Sequence, residues 1–216
     1  MDRFLSNRFA TEFAFGTRIL AIIATQMLWL GREYRYTELV HSSIYSLLQE
    51  EMFGTAAFSD FCKTTATIAG RSTADMALSR EDILAFGEIK DWMRLLWITE
   101  TTVPVAQNKI PISLDCRYPR GPQAPRCDEE WTRHAKAIHC RQMPEIKGPV
   151  HTPVYRQYWT DACGGFGALS TKTAWKGVGY CEGCIERKNY YFRSCKDDFI
   201  TVFKEKVVEL RLLLPR

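Results

Sequence analysis

The sequence has 216 residues, of which 46% are hydrophobic and 25% are charged. These fractions are close to the averages of soluble globular proteins and argue against a disordered or fibrous chain. The formal net charge of +4 is small, and the basic residues form no long run, so the sequence has no obvious binding surface for nucleic acid.

The most apolar segment, from Arg18 to Gly31, is shorter than the ~20 residues needed to span a bilayer. No cleavage site typical of a signal peptide follows it. We therefore expect no membrane association and an intracellular location, in the cytoplasm or the nucleus. In such a reducing compartment the eight cysteines are expected to be thiols or metal ligands rather than disulfides.

Residues 18 to 53 are predicted to form an antiparallel hairpin of two helices, because apolar residues recur in both halves with the period of a helix. Gly31 is predicted to end the first helix, and Thr37 to be the N-cap of the second. The residues expected to face the core are Ile22, Ile23, Met27, Ile44 and Leu48.

Further helices are predicted at 56–69, after Ser79, at 128–140, at 152–163 and from Cys181 to about Leu214. Ser79 and Asp82 have the spacing of a capping box at a helix start. After Thr102 a series of prolines favours extended or turn structure over helix. The stretch CGGFGALS, which begins at Cys163, is predicted to be a flexible interruption.

These elements predict a mainly α fold: a helical hairpin followed by a helical, cysteine-bearing region, with little or no sheet. Because prolines and most cysteines follow residue 102, the simplest partition has two subregions. Residues 1–102 would form a helical N-terminal subregion. Residues 103–216 would form a subregion that contains the prolines and cysteines and ends in a long helix. We expect the two subregions to make one folded unit.

The strongest chemical signal is a C-x2-C pair, Cys181 and Cys184, at the start of the last helix. This spacing allows two thiolates to bind one ion, and Zn²⁺ binds four such ligands as a tetrahedron. Cys116 and Cys127, separated by a proline-rich loop, provide a second pair. We predict that the four bind one structural Zn²⁺.

Other interpretations of these cysteines remain open at this stage. The C-x2-C can be two ordinary thiols at a helix start, part of a disulfide, or a redox dithiol, although no βαβ pattern surrounds it. Other residues can also complete a metal site: His134, His139, Cys140, Cys163 and Cys195.

Two stretches resemble parts of a known family. MLWLGREYRYTELVHSSIYSLLQEEMFGT, residues 27–55, is similar to the helix pair that follows the BTB/POZ fold in BTB-domain proteins of mushroom-forming fungi. LSREDILAFGEIKDWMRLLW is similar to a later helix of those proteins. Asp115-Cys116, Cys127 and the C-x2-C also follow one another in the order usual for the family.

The resemblance covers most of residues 20 to 205 and implies a BACK-like, post-BTB helical module that binds proteins. About fifteen residues precede the first predicted helix. We therefore expect this sequence to lack the BTB fold itself, which in such proteins supplies dimerisation and docking to the cullin scaffold.

The sequence contains no G-x-S-x-G, P-loop, G-x-G-x-x-G or H-E-x-x-H motif. We therefore predict a non-catalytic protein-interaction module with a protein partner. One alternative is a zinc-ordered module for nucleic-acid binding or transcription, which the basic and aromatic residues of IERKNYYFR favour. The other alternative is a small enzyme of unknown class.

Overall fold

The structure, a computed structural model, describes residues 21–50, 78–106, 116, 127, 160–171 and 180–214. Five helices lie in this part of the chain, and it contains no strand: α1 Ala21–Glu33, α2 Thr37–Leu48, α3 Arg80–Ala106, α4 Ala162–Leu169 and α5 Glu182–Glu209. The predicted mainly α fold is therefore confirmed. The helices predicted at 56–69 and 128–140 lie outside the described residues.

The chain divides into two compact units. Unit 1 consists of residues 1–92 and 201–216, and unit 2 consists of residues 93–200. Helices α3 and α5 each contribute residues to both units. The partition of the sequence into 1–102 and 103–216 follows chain order and stays a prediction.

In unit 1, α1 and α2 pack against each other and are joined by only three residues. The sequence predicted that Gly31 ends α1, but the helix continues to Glu33. The chain leaves the helix at Arg35, whose φ is 57°, and the N–H of Tyr36 donates to the carbonyl of Gly31 at 2.8 Å. This is a Schellman motif, which normally places glycine at the left-handed position.

Gly31 has a packing role instead, because a Cβ at this position would lie 2.8 Å from Cγ2 of Val40. The missing side chain thus allows α1 to approach α2 closely. Tyr36, not Thr37, is the N-cap of α2, and its side chain makes no capping hydrogen bond. Because only three residues connect the two helices, Tyr36 both donates the hydrogen bond that closes the end of α1 and is the N-cap of α2.

The buried face of α1 differs from the predicted one. Met27, Ile44 and Leu48 are buried as expected, but Ile23 is 43% exposed, so its predicted core position is wrong. The buried face instead includes Ala24, Met27, Leu28, Gly31 and Arg32. Small residues and an ion-paired arginine therefore lie on the buried face of α1, and the spacing of hydrophobic residues alone does not predict this. The side chain of Ile22 lies outside the described residues.

Arg32 connects the end of α1 to the start of α3. Its guanidinium donates two hydrogen bonds to the carboxylate of Asp82, at 2.8 and 3.0 Å, and Nε donates to the carbonyl of Leu212 at 2.8 Å. Asp82 also belongs to the predicted capping box, which is confirmed: its N–H donates to Oγ of Ser79 at 3.0 Å. One buried ion pair therefore holds three chain segments together.

The part of α5 from Thr201 onwards and the residues after the helix complete unit 1. Phe203 is fully buried and meets Tyr45 edge-on, with ring centroids 5.6 Å apart. Beyond Glu209 the chain turns at Arg211, whose φ is 54°, and the N–H of Leu212 donates to the carbonyl of Val207 at 3.0 Å. This second Schellman motif presents the Leu212 carbonyl that accepts from Arg32.

In unit 2, the predicted flexible stretch CGGFGALS lies almost entirely within α4, so that prediction is wrong. Asp161 caps the helix, accepting a hydrogen bond from the N–H of Gly164 at 2.9 Å. A Cβ on Gly164 would lie 2.2 Å from the Asp161 carboxylate, so glycine makes room for the cap. The ring of Phe166 is fully buried beside Trp97, with centroids 5.2 Å apart.

The prolines after Thr102 favoured extended or turn structure there, but α3 includes Pro104 and ends at Ala106. A proline in the last turn removes only one of the final hydrogen bonds of a helix, which is a smaller cost than in the middle. None of the described helices has the length and the apolar character needed to cross a membrane.

Candidate metal centre

The C-x2-C pair lies where the sequence placed it, at the beginning of α5. Cys181 directly precedes the helix, and its carbonyl accepts the N–H of Ile185 at 3.0 Å. Cys184 lies in the first turn. Residues three positions apart share a helix face, so this spacing brings the two sulfur atoms to the same side.

Cys116 and Cys127 meet this pair in space. The Sγ atom of Cys127 lies 3.6 Å from that of Cys116 and 3.9 Å from that of Cys181, and the Cys116 and Cys181 sulfurs are 3.8 Å apart. All four sulfurs, that of Cys184 included, lie within 4.8 Å of one another. A tetrahedron with zinc–sulfur bonds of about 2.3 Å requires sulfurs about 3.8 Å apart. The four cysteines therefore lie close together, in an arrangement that is compatible with a metal site.

The cluster is poorly solvated. Cys127, Cys181 and Cys184 are buried, whereas Cys116 is half-buried. The pKa of the Cys127 thiol is raised to about 11, mainly by burial; a hydrogen bond from the N–H of Cys181 lowers this pKa, and the neighbouring Cys116 raises it. Without a cation, then, the Cys127 thiol keeps its proton near neutral pH. A divalent metal would displace that proton, since it binds thiolates.

The other candidate ligands do not join the cluster. Cys163 is buried in α4, and this burial raises the pKa of its thiol to about 12. His134, His139 and Cys140 lie outside the described residues. In the described part of the chain, these four cysteines are the one set of three or more metal-binding side chains that converge.

A second polar cluster in unit 2 lies between α3 and α5. The hydroxyl of Tyr191 donates to Oε2 of Glu100, and the thiol of Cys195 lies 3.9 Å from the same oxygen. Burial, together with the nearby Glu100 carboxylate, raises the pKa of Tyr191 far above its usual value and that of Cys195 to about 12. Both groups are neutral near pH 7, the opposite of an activated nucleophile.

Sequence reasoning missed one residue near the centre. Lys188 is only 2% exposed, and its ammonium lies 4.5 Å from the centroid of the Tyr180 ring. The sequence carried a signal for it, because Lys188 occupies a position in the buried stripe of α5 between Cys184 and Phe192. A charged residue in an otherwise apolar helical period calls for an explanation.

No family model matches the chain, and no curated protein or solved structure matches it either. The chemistry of the four cysteines is therefore the main guide to function. Four sulfur ligands would surround a zinc ion completely, and such a closed site leaves no position for a reactive water.

Proposed function

We propose that this chain is a non-catalytic protein-interaction module whose fold is stabilised by one structural Zn²⁺ bound to Cys116, Cys127, Cys181 and Cys184. The observation that carries the zinc site is the convergence of four sulfurs at distances close to those of a tetrahedral zinc site. Four thiolates also favour zinc over the hard cations Mg²⁺ and Ca²⁺, which bind oxygen.

The proposed ion would act as a cross-link between distant parts of the sequence. Cys116 and Cys181 are 65 residues apart and Cys127 and Cys181 are 54 apart, so one ion would fix two positions of the proline-rich region to the start of α5. Because an unfolded chain lacks such a site, the free energy of metal binding contributes to folding.

The protein-interaction role is supported by the resemblance of residues 27–55 and of α3 to helices of post-BTB modules. The packed pair of α1 and α2 fits the helical architecture implied by that resemblance. The raised pKa values of Tyr191 and Cys195 add no support for catalysis. Within IERKNYYFR, Lys188 and Phe192 are buried, so these two side chains are not available to nucleic acid, and we do not propose that alternative.

The metal site is tested by measuring the zinc content of purified protein by elemental analysis. We expect one zinc per chain in the wild type and substantially less in Cys116→Ser and Cys184→Ser. Cys195→Ser is the matched control, because it removes a thiol outside the cluster and should retain the metal. Replacement by Co²⁺ should give the intense charge-transfer absorption of a tetrahedral thiolate site. A folded wild-type protein that contains and binds no zinc would overturn the proposal.

The interaction role needs a separate experiment. Tagged wild-type protein and Cys184→Ser are used to capture binding partners, and quantitative mass spectrometry compares the two samples. We expect a protein to be enriched with the zinc-bound fold, to bind it directly when purified, and to bind Cys184→Ser more weakly. If the wild type and Cys184→Ser bind the purified partner equally well, the interaction does not depend on the metal. If no purified candidate binds, the interaction role is rejected.

A further inference from the structure

The four cysteines of the candidate metal centre differ in their accessibility to solvent. Cys116 is half-buried, whereas Cys127, Cys181 and Cys184 are at most 7% exposed. A small reagent that diffuses in from solvent therefore reaches Cys116 before it reaches the other three. Cys116 is thus the position of the cluster at which a reaction with a dissolved molecule can begin.

Two further sulfurs lie close to that of Cys116. Its Sγ is 3.6 Å from that of Cys127 and 3.8 Å from that of Cys181. Cysteines that sense oxidants have this arrangement, in which an accessible thiolate lies beside a second cysteine that can convert the first oxidation product to a disulfide. In the proposed centre the zinc ion would keep the sulfurs as thiolates, and the thiolate is the nucleophilic form of cysteine.

We infer that Cys116 is a site of oxidation by hydroperoxides, and that this oxidation joins Cys116 to Cys127 in a disulfide and releases the zinc ion. This inference rests on the proposed zinc site and names a means of regulating it. The accessibility of Cys116 and the distance between the two sulfurs carry it. The ion would then be a cross-link that an oxidant can remove.

The reaction has two steps. The Cys116 thiolate first attacks one oxygen of hydrogen peroxide, so that a sulfur–oxygen bond forms, the oxygen–oxygen bond breaks and hydroxide leaves. The product is a sulfenic acid. The Cys127 thiolate then attacks the sulfur of this acid, the disulfide bond forms, and the sulfur–oxygen bond breaks with loss of a second hydroxide. The two thiolates together supply the two electrons that reduce one peroxide to two hydroxide ions, which take up protons from the buffer.

The position of Cys127 in the chain also makes it the expected partner. Cys127 is 11 residues from Cys116, whereas Cys181 is 65 residues away. In a flexible chain, closing the shorter loop costs less entropy and favours that disulfide about tenfold. Only Cys181 and Cys184 would then remain as thiolates, and two ligands do not complete the tetrahedron that zinc requires.

The test treats zinc-loaded wild type with hydrogen peroxide. Zinc release is followed with a chromophoric chelator, and disulfides are mapped by mass spectrometry of peptides prepared without reduction. We expect loss of the one zinc per chain together with formation of the Cys116–Cys127 disulfide, and a Cys116–Cys181 disulfide about tenfold less abundant. A thiol reductant and added zinc should restore the zinc-bound protein.

Cys195 provides an internal control in the same sample. It is half-buried like Cys116, but burial and the Glu100 carboxylate raise the pKa of its thiol to about 12. Cys195 should therefore stay reduced while Cys116 reacts, and Cys195→Ser should release zinc at the rate of the wild type. Cys116→His retains a nitrogen ligand for zinc but cannot form a disulfide, so it should keep its zinc in peroxide.

The outcomes separate this inference from the zinc proposal. If the wild type binds no zinc, the metal centre itself is rejected. If the wild type binds zinc and keeps it in peroxide, or loses it without a Cys116–Cys127 disulfide, only the inference is rejected. Oxidation of Cys195 as fast as that of Cys116, or release of zinc from Cys116→His as fast as from the wild type, would also overturn it. If Cys116→His binds no zinc, the disulfide map of the wild type decides.

Discussion

Replacing Arg32 by Met is expected to lower the free energy of unfolding by about 3 to 5 kcal/mol, the usual result of removing one partner of a buried ion pair. Arg32 is 8% and Asp82 2% exposed, so the substitution leaves a buried carboxylate without its guanidinium. It also removes the hydrogen bond to the Leu212 carbonyl. The position of Asp82 in the first turn of α3 offsets part of the loss, because the helix dipole favours a carboxylate there by up to about 1 kcal/mol.

The assay is urea denaturation of the wild type, Arg32→Met, Asp82→Asn and the double variant. Each single substitution should be strongly destabilising, since each leaves a buried charge or donor unmatched. The double variant should lose clearly less free energy of unfolding than the two single variants lose together. The interaction energy should be about 2 kcal/mol or more, as expected for groups in one hydrogen-bond network.

The Glu38–Lys204 pair provides the matched control within unit 1. Its nitrogen–oxygen distance of 2.8 Å equals the shortest one between Arg32 and Asp82, but its side chains are 65% and 34% exposed. Lys204→Met should therefore cost less than about 1 kcal/mol. If Arg32→Met is no more destabilising than Lys204→Met, or if the double-mutant cycle shows no coupling, the buried pair does not hold these segments together.

Three further predictions concern single positions. His41 is buried with neither ring nitrogen hydrogen-bonded, and burial lowers its pKa in the folded state; unfolding therefore takes up a proton below about pH 6.5. The stability of the wild type relative to His41→Leu should fall as the pH drops from 7.5 to 5, and a constant difference in urea titrations would contradict this. Phe166→Ala should lower the free energy of unfolding by about 3 to 5 kcal/mol, seen as a lower urea midpoint; a loss below 1 kcal/mol would show that its contacts with Trp97 matter little. Arg35→Gly should raise the free energy of unfolding by about 0.5 to 1 kcal/mol, seen as a higher melting temperature, because glycine adopts positive φ without steric cost. A lower melting temperature would contradict the inference that Arg35 is strained.

The sequence was most informative where one local rule determined the structure. The spacing of Ser79 and Asp82 predicted a capping box, and that of Cys181 and Cys184 predicted two sulfurs on one side of a helix start. Both depend on neighbours in the chain, and both are confirmed. The convergence of Cys116 and Cys127 on the same point is a long-range contact, and it was predicted from the preference of zinc for four ligands rather than from any local pattern.

The incorrect predictions arose where tertiary packing outweighed local preference. Ile23 fits a helical period, yet Ala24 and Arg32 are buried, because close approach to α2 favours small residues and Asp82 binds the arginine. The glycines of CGGFGALS suggested a flexible loop, but burial of Phe166 and the Asp161 cap stabilise a helix there. Asp82 and Trp97, which contact Arg32 and Phe166, are distant from them in sequence, whereas the Asp161 cap is a local signal that the sequence analysis missed.

The discontinuity of unit 1 has a consequence for the order in which the protein is synthesised. Residues 201–214, which supply Phe203 and the Leu212 carbonyl, leave the ribosome after all of unit 2. Until then α1 and α2 lack these contacts, whereas unit 2 has its complete sequence once residue 200 has emerged. A released chain truncated between residues 200 and 212 would therefore have the complete sequence of unit 2 but an incomplete unit 1, whose exposed apolar surface would be prone to aggregation.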